Sequence, residues 1–480
     1  MHIQTHKFKY LARHALENAQ LQENLKKIGS IFTSLRNQAF AELEEPEQLR
    51  NMARDVKAWA LDNLPSLLET LEQNVIKAGG RVHWAADARE ANKIILGLAM
   101  ENNVKRVVKG KSMVSEEISV NQVLMAHGID TWETDLGEFI IQLAGETPSH
   151  IVGPALHKNE QEIAHLFSET LGIPYTEEPE ELTMVAREKL RQKFLTADMG
   201  ISGANMAVAE TGSIVLLENE GNIRFSTTMP RIHVALMGIE KVIASLEDMG
   251  IILSILARSA SGQRMSVYTS IFTGPRRHDE LDGPEQFHLV ILDNGRSSVY
   301  QDPELREILR CIRCGACLNV CPVYLRVGGH SYGWVYSGPM GSVLAPQLLP
   351  HGLGRELPFA CTLCGACKEV CPVKIDLPRL LLALRSRFAE PQRGQRGIPF
   401  LEKATPGMYA SICSRPSLYG LLSRAARILR PLLNPGGHWL PLPPPLNRWA
   451  RKRAMPQLGP SFSEIWPGIQ DKFKDIGRQK

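Results

Sequence analysis

Two runs of the chain, CIRCGACLNVCPV from Cys311 and CTLCGACKEVCPV from Cys361, share the spacing C-x2-C-x2-C-x3-C-P at an offset of 50 residues. Eight of the nine cysteines fall in these runs and Cys413 stands apart. Thiols packed this densely in a long chain do not form a disulfide framework, because a large core needs no covalent staples. Paired C-x2-C elements also occur in zinc ribbons, but zinc does not require a third cysteine at +6 and a fourth at +10 followed by proline, twice over. The spacing is that of cubane iron–sulfur ligation, in which three thiolates of one run hold one cluster and the fourth holds the other. Two [4Fe-4S] clusters follow: Cys311, Cys314, Cys317 and Cys371 for the first, Cys361, Cys364, Cys367 and Cys321 for the second. Gly315 and Gly365 relieve crowding where the backbone wraps a cluster, and Pro322 and Pro372 turn the chain away. Cys413 reads as an idle thiol.

A cubane with four thiolates has no open iron site, so the module carries electrons and the rest of the chain must supply a docking surface or a pocket. The chain is 480 residues long with 44% hydrophobic and 22% charged residues, the composition of a globular protein of several domains. No apolar run reaches the roughly 18–20 residues needed to cross a bilayer. The polar start MHIQTHKFKY is not a secretory leader, so a cytoplasmic location is expected. Charge is uneven. From Leu377 onward 18 Lys and Arg face 5 Asp and Glu, a balance of +13, while the remainder holds 37 against 46, or −9. The basic tail suits an acidic partner or the inner face of a membrane, and the acidic body argues against a nucleic-acid binder.

Four segments emerge. Residues 1–78 read as a helical extension. Residues 79–300 alternate short β-rich runs with amphipathic stretches, the signature of an α/β domain with a mostly parallel sheet. RVHWAAD, RVVKG, DTWETD, HIVGPALH, SIVLLENEG, IHVALMGI, MSVYTSIFTG and HLVILDNG are its expected β-rich runs. Residues 301–386 form a helical two-cluster ferredoxin-like module, entered by a short helix over Asp302–Ile308 and closed by a helix over Leu377–Ser386. Residues 387–480 are basic and Pro-rich.

The α/β domain lacks G-x-G-x-x-G, Walker A, H-E-x-x-H and G-x-S-x-G sequences. Its candidates are polar clusters at expected strand ends, where open α/β sheets place ligands. Lys109, Lys111, Ser112 and Glu116 suit either an anion site or a Ser-capped turn. Glu133, Asp135 and Glu138 suit acid–base work or, for Asp135, helix capping. A Gly-punctuated stretch (Gly203, Gly212, Gly221) carries Asn205, Glu210, Thr211, Glu220, Asn222 and Arg224, which either line a pocket or turn the chain. His150 and His157 read as satisfied histidines.

KGKSMVSEEI, ETDLGEFIIQLAGETPSHIVGPALHKNE, AETGSIVLLENEGN and the paired cysteine runs together resemble the lactate-utilisation protein B family, the iron–sulfur subunit of a bacterial L-lactate oxidation system. The resemblance spans nearly the whole chain. It implies an α/β fold akin to the sugar-isomerase and CoA-transferase group. It also implies two companions, a cysteine-rich subunit similar to those of heterodisulfide reductases and a smaller paralogous α/β protein. No catalytic residue carries over from the family. Three roles stand open: an electron-transfer subunit in L-lactate oxidation to pyruvate, needed for growth on lactate; an α/β domain that itself binds a 2-hydroxy acid, with Lys109 or Lys111 clamping the carboxylate and Glu138 or Glu210 near the hydroxyl; and a docking platform. For the third, SLYGLLSRAARILRPLL with Arg424, Arg427 and Arg430 is an amphipathic basic anchor.

Overall fold

A computed structural model describes residues 3–389, 400–433, 462 and 464–470. The chain divides into two units, Met1–Phe388 and Ala389–Lys480.

Ten strands shape the first unit: β1 (Arg81–Ala85), β2 (Arg106–Lys109), β3 (Asp130–Glu133), β4 (Met199–Ser202), β5 (Met206–Val208), β6 (Ser213–Glu218), β7 (Ile232–Gly238), β8 (Val242–Ile243), β9 (Tyr268–Phe272) and β10 (Gln286–Leu292). Six make a wholly parallel sheet in the order β1-β10-β7-β4-β2-β3. β7 and β10 are apolar on both faces because helices or other elements cover each side. Ala235, Met237, Leu289 and Ile291 face a core shared with the cysteine module, whereas Val234, Leu236, Val290 and Leu292 face a separate helix-covered core.

The other four strands form a second sheet, β8-β5-β6-β9, in which β6 runs antiparallel to β5 and β9. The runs SIVLLENEG and MSVYTSIFTG hold β6 and β9, and the six-stranded sheet is parallel as expected, but their pairing in a separate second layer was not anticipated. A second correction concerns IVGPAL, which is a loop and not a strand. Pro154 has no N–H to give a ladder. The neighbouring backbone groups are spent elsewhere: the N–H groups of Val152 and Gly153 donate to the His150 ring, and the Val152 carbonyl accepts from Lys111. A third correction is small. The turn ahead of the first cysteine is a 3-10 helix at Arg306–Arg310, since the Asp302 carboxylate accepts from the N–H groups of Glu304 and Leu305 and delays helical winding.

The N-terminal helices, Phe8–Glu17, Ala19–Ala41, Pro46–Asp62 and Leu64–Lys77, share the core of the cysteine module and are not an appendage. Gly29 shows how closely they pack: a Cβ there would lie 2.5 Å from Leu325 and 3.2 Å from the Asn319 carbonyl. The closing helix runs over Leu377–Ala389 and buries Leu380, Leu381 and Leu384.

In the second unit, helices Phe400–Cys413 and Pro416–Leu433 are joined at Ser414–Arg415, and Cys413 is exposed. The Pro-rich run at 440–453 and the side chains of Arg427 and Arg430 lie outside the described residues. Among the described residues no helix is long and apolar enough to cross a membrane.

Two histidines in the sheet make a pH test of the core. His233 donates to or accepts from Ser202 Oγ at 2.8 Å, and His288 meets His83 at 3.0 Å. Burial lowers His233 to about 3 and His288 to about 4 from an ordinary 6.5, so the folded chain holds both neutral. A depressed histidine contributes stability that is present above pH 6.5 and lost as pH falls toward 4. Thermal melting followed by circular dichroism should therefore shift to lower temperature between pH 6.5 and 4.5, with a smaller shift in a His233→Phe variant.

Candidate iron–sulfur site and adjoining cavity

The two cysteine runs adopt the same backbone shape. Residues two and four after the first cysteine have left-handed φ in both: Arg313 (62°) and Gly315 (79°), then Leu363 (57°) and Gly365 (86°). Non-glycine residues seldom adopt such φ, so its recurrence marks a loop bent around something. Backbone N–H groups then point at sulfur: Arg313 N to Cys311 Sγ at 3.4 Å, Leu363 N to Cys361 Sγ at 3.3 Å, Tyr324 N to Cys321 Sγ at 3.4 Å and Ile375 N to Cys371 Sγ at 3.3 Å. N–H···S bonds of this kind stabilise ligated thiolates.

The sulfurs fall into two groups that cross between the runs. Cys314 feels repulsion from Cys311 and Cys371, and Cys321 from Cys361 and Cys364. Cys367 feels Cys361, Cys321 and Cys364, while Cys317 feels Cys311, Cys314 and Cys371 together with Cys367 of the other group. Burial pushes Cys314 and Cys367 up to about 12 and Cys371 to about 11. Thiols so disfavoured as free anions ionise when a metal takes the charge.

Around the first group the protein has buried cations. Arg50 donates to the Cys371 carbonyl through Nη2 at 2.8 Å, and Arg36 to the Val370 carbonyl at 3.1 Å. Lys57 Nζ donates to the Glu240 carbonyl at 2.8 Å, and Lys241 is 8% exposed. Burial pushes both lysines down to about 8, with Glu240 and then Cys311 pulling the other way. Arg313 Nη2 lies 3.2 Å from Glu240 Oε1 with its guanidinium 5.1 Å above the Tyr336 ring, and its Nη1 has no partner. Arg296 is fully buried, 2.7 Å from Glu117 Oε2 and 2.8 Å from Glu240 Oε2. Arg50 is paired with the exposed Glu47; the carboxylates buried among these groups are Glu117 and Glu240, fewer than the remaining cations Arg36, Lys57, Lys241, Arg296 and Arg313, and unpaired buried charge is costly. A thiolate-ligated cubane is an anion, so the residues present fit one.

The ion chain also joins the domains. Glu240 follows β7, Arg296 follows β10, and Arg313 sits inside the first cysteine run. Gly238 makes room, since a Cβ there would collide with Glu240 and Arg296. The first cysteine loop thus docks at the carboxyl edge of the parallel sheet, the edge where α/β sheets bind ligands. On the same edge the 149–156 loop closes over it. His150 accepts from Val152 and Gly153 at Nδ1, so its Nε2 donates to Asn319 Oδ1 at 3.2 Å, and burial lowers its pKa to about 4. Tyr324 donates to the Ser149 carbonyl at 2.8 Å, and His157 bonds Ser149 Oγ at 3.0 Å and Glu146 Oε2 at 2.5 Å.

A cavity of about 470 Å³ opens between this loop, the second sheet and the first cysteine run, with Cys314 and Arg313 in its wall. The sequence candidates divide around it. Lys111, Asp135, Asn205, Glu220 and Asn222 line it. Lys111 Nζ is 2.9 Å from Asp135 Oδ2, and Glu220 accepts from Leu136 N at 3.1 Å. Asp135 and Ser112 also cap helices, accepting from Glu138 N and Ser115 N. Glu210 is not at the cavity: it caps the helix Leu246–Ala260 through Leu246 N at 3.1 Å. Thr211 donates to Ser213 Oγ, and Arg224 N donates to Glu218. Gly212 lies against the backbone of Asn74 and Gly203 against Ser112, while Gly221 is the left-handed residue ahead of Asn222.

Lys109 is fully buried, 2.8 Å from Glu133 Oε1 and 3.1 Å from Glu116 Oε1, and donates to Ser115 Oγ. Burial first, and then the neighbouring carboxylate of Glu133, raises Glu138 well above its ordinary value. The sequence reading missed Arg36, Arg50, Lys57, Glu117, Glu240, Lys241, Arg296 and Arg313. Only Arg313, inside the cysteine run, carried a local signal.

Comparison with known proteins now defines the class. Residues 68–292 match the family model described as the LUD domain, and residues 307–375 match the 4Fe-4S dicluster domain. The chain is 44% identical over 481 residues to lactate utilization protein B of Bacillus licheniformis, covering 100% of each, and 43% identical to that of Bacillus subtilis, covering 97% of each. To the Geobacillus kaustophilus protein of the same name it is 45% identical, over 86% of this chain and 87% of that one. The chain belongs to the lactate utilization protein B family. A crystal structure of a DUF162 family protein from Deinococcus radiodurans, 12% identical, covers 48% of this chain and 98% of its own at a TM-score of 0.28, too slight for the fold to rest on it.

Lys109 gives a stability test. Lys109→Met leaves Glu116 and Glu133 buried without their cation, which should cost about 3–5 kcal/mol in urea unfolding. A loss below about 1 kcal/mol would show that the lysine is not a structural counter-ion.

Proposed function

We propose that this chain is the iron–sulfur electron-transfer subunit of a cytoplasmic complex that oxidises L-lactate to pyruvate. The observation that carries the reading is the reach of the crossed cysteine groups: Cys314 of one lines the cavity at the sheet's edge, while Cys364 of the other is exposed at the surface. The relatives' shared name supports lactate as the fuel. On this reading Cys311, Cys314, Cys317 and Cys371 hold one [4Fe-4S] cluster and Cys321, Cys361, Cys364 and Cys367 the other. Bound cubanes pass one electron at a time.

Lactate gives up two electrons and two protons in becoming pyruvate, so clusters held by these cysteines would supply one-electron transfer and a two-electron acceptor must stand upstream. The companions implied by the family, a cysteine-rich heterodisulfide-reductase-like subunit and a smaller α/β paralogue, are the places for that acceptor. In this chain the protein's own work is to hold the thiolates with N–H···S bonds, balance their charge with arginine and lysine, and exclude water from the inner cluster. The basic tail then serves an acidic partner or the inner membrane face.

A second reading, in which the α/β domain binds a 2-hydroxy acid, is favoured by Lys111 in the cavity wall. Asp135 and Glu220 share that wall, which weakens its pull on an anion. Calorimetric titration with millimolar lactate would give heat that a Lys111→Ala variant loses if this reading holds, and none if the chain is a relay.

Two tests address the relay. Deleting the chain should abolish growth on L-lactate, with rescue by wild type but not by Cys364→Ser; undiminished growth of the deletion strain would contradict the proposal. For the ligand sets, anaerobically loaded protein should hold about eight irons. The double variant Cys321→Ser/Cys364→Ser should keep about four, because both residues serve one cluster, whereas ligation within each run would damage both clusters and leave almost none.

A further inference from the structure

The two cysteine groups sit in opposite electrostatic surroundings. Arg36, Arg50, Lys57 and Lys241 are each less than a tenth exposed, as is the side chain of Arg313; Arg36 and Arg50 donate to the Val370 and Cys371 carbonyls, Arg313 lies within the first cysteine run, and Lys57 and Lys241 adjoin Glu240, which Arg313 meets at 3.2 Å. They come from three parts of the chain: the N-terminal helices, the end of β7 and the cysteine run itself. At the other group the nearest cations are different in kind. Arg385 Nη2 donates to the Cys361 carbonyl at 2.7 Å from a partly buried position, and Lys368 is 56% exposed and paired with Asp376. Water reaches that group through exposed Cys364.

Adding an electron to a cluster adds negative charge. In a poorly polarisable interior a nearby cation stabilises that charge several-fold more than the same cation in water. Lys57 and Lys241 matter most because neither holds a carboxylate to itself: Lys57 Nζ is 2.8 Å from the Glu240 carbonyl and 3.4 Å from the Val242 carbonyl, and the nearby Glu240 carboxylate is shared with Arg296 and Arg313. Neutral backbone acceptors do not cancel a charge, and its field acts on the adjoining cysteines.

We propose that Arg36, Arg50, Lys57, Lys241 and Arg313 form a cation cradle that sets the cluster of Cys311, Cys314, Cys317 and Cys371 at the higher reduction potential of the two, so that an electron entering from the cavity side is held beside Cys314 before it passes to the Cys364 end. The proposal rests on the ligand sets assigned above. It gives the relay an internal order: the buried cluster fills first, and because the onward step to the lower-potential exposed cluster is uphill, an electron leaves through the Cys364 end only when a partner acceptor of higher potential draws it off. Lys57 and Lys241 act through the cluster's charge and touch no substrate.

The test is an anaerobic redox titration of the full chain, followed by EPR, in wild type and in Lys57→Met and Lys241→Met, which keep length and remove charge. Iron content is measured on every sample. The expected result is two one-electron couples, with the higher-potential couple moved to lower potential in each variant and the lower couple moved less. Lys368→Met, a change near the exposed cluster, should leave the higher couple in place. Full iron with both couples unmoved in both lysine variants overturns the cradle while leaving the two-cluster reading intact. A shift confined to the lower couple overturns the order of filling. Wild-type iron far from about eight instead defeats the ligand assignment on which the proposal rests. Should Lys241→Met fail to fold, Lys57→Met alone decides the matter, and Lys57→Arg should restore the wild-type potential.

Discussion

The buried ion chain Glu117–Arg296–Glu240–Arg313 is what makes one body of an α/β domain and a cysteine module. Each charge comes from a different segment, and none has water to fall back on. Arg296 alone would be an intolerable charge at full burial; it is accepted because two carboxylates meet it at 2.7 and 2.8 Å. Glu240 in turn is shared with Arg313, so the position of the first cysteine loop is specified from the sheet. Removing any one member would strand the others, which is why this junction fixes geometry and does more than add cohesion. From it follow the placement of Cys314 at the sheet's carboxyl edge, the closure of the 149–156 loop and the cavity between them.

The cysteine runs were legible in the sequence because cluster ligation demands fixed intervals along the chain, and the parallel strands because two-sided burial writes continuous apolar runs such as IHVALMG and HLVIL. What the sequence could not display were contacts made by distant residues. Lys57 and Lys241 look like any helix or turn lysine until the fold carries them to Cys311. Glu210 and Lys109 show the converse. Both occupy strand ends that in an α/β sheet suit ligands, yet one caps a helix and the other neutralises buried carboxylates. The loop at 149–156 misled for a related reason: IVGPAL has β-branched and apolar residues, but tertiary bonds to His150 and Lys111 claim its backbone.

The arrangement gives the two halves unequal parts. The α/β domain provides a walled space against Cys314, and the N-terminal helices provide two arginines and a lysine that, on the proposed reading, serve a bound cluster as counter-charge. On the proposed reading the exposed end around Cys364, in a run that exposed Phe359 precedes by two residues, is where a redox partner would meet the chain. Such an ordering, with a sheltered intake and an open outlet, is what a carrier between larger components needs.

The most direct measurement of the central claim is EPR of the anaerobically loaded protein after addition of L-lactate, with and without the two companion proteins. The account predicts that reduced-cubane signals develop only when the companions are present. Signals that develop with lactate and this chain alone, or purified protein that carries zinc in place of iron, would contradict it.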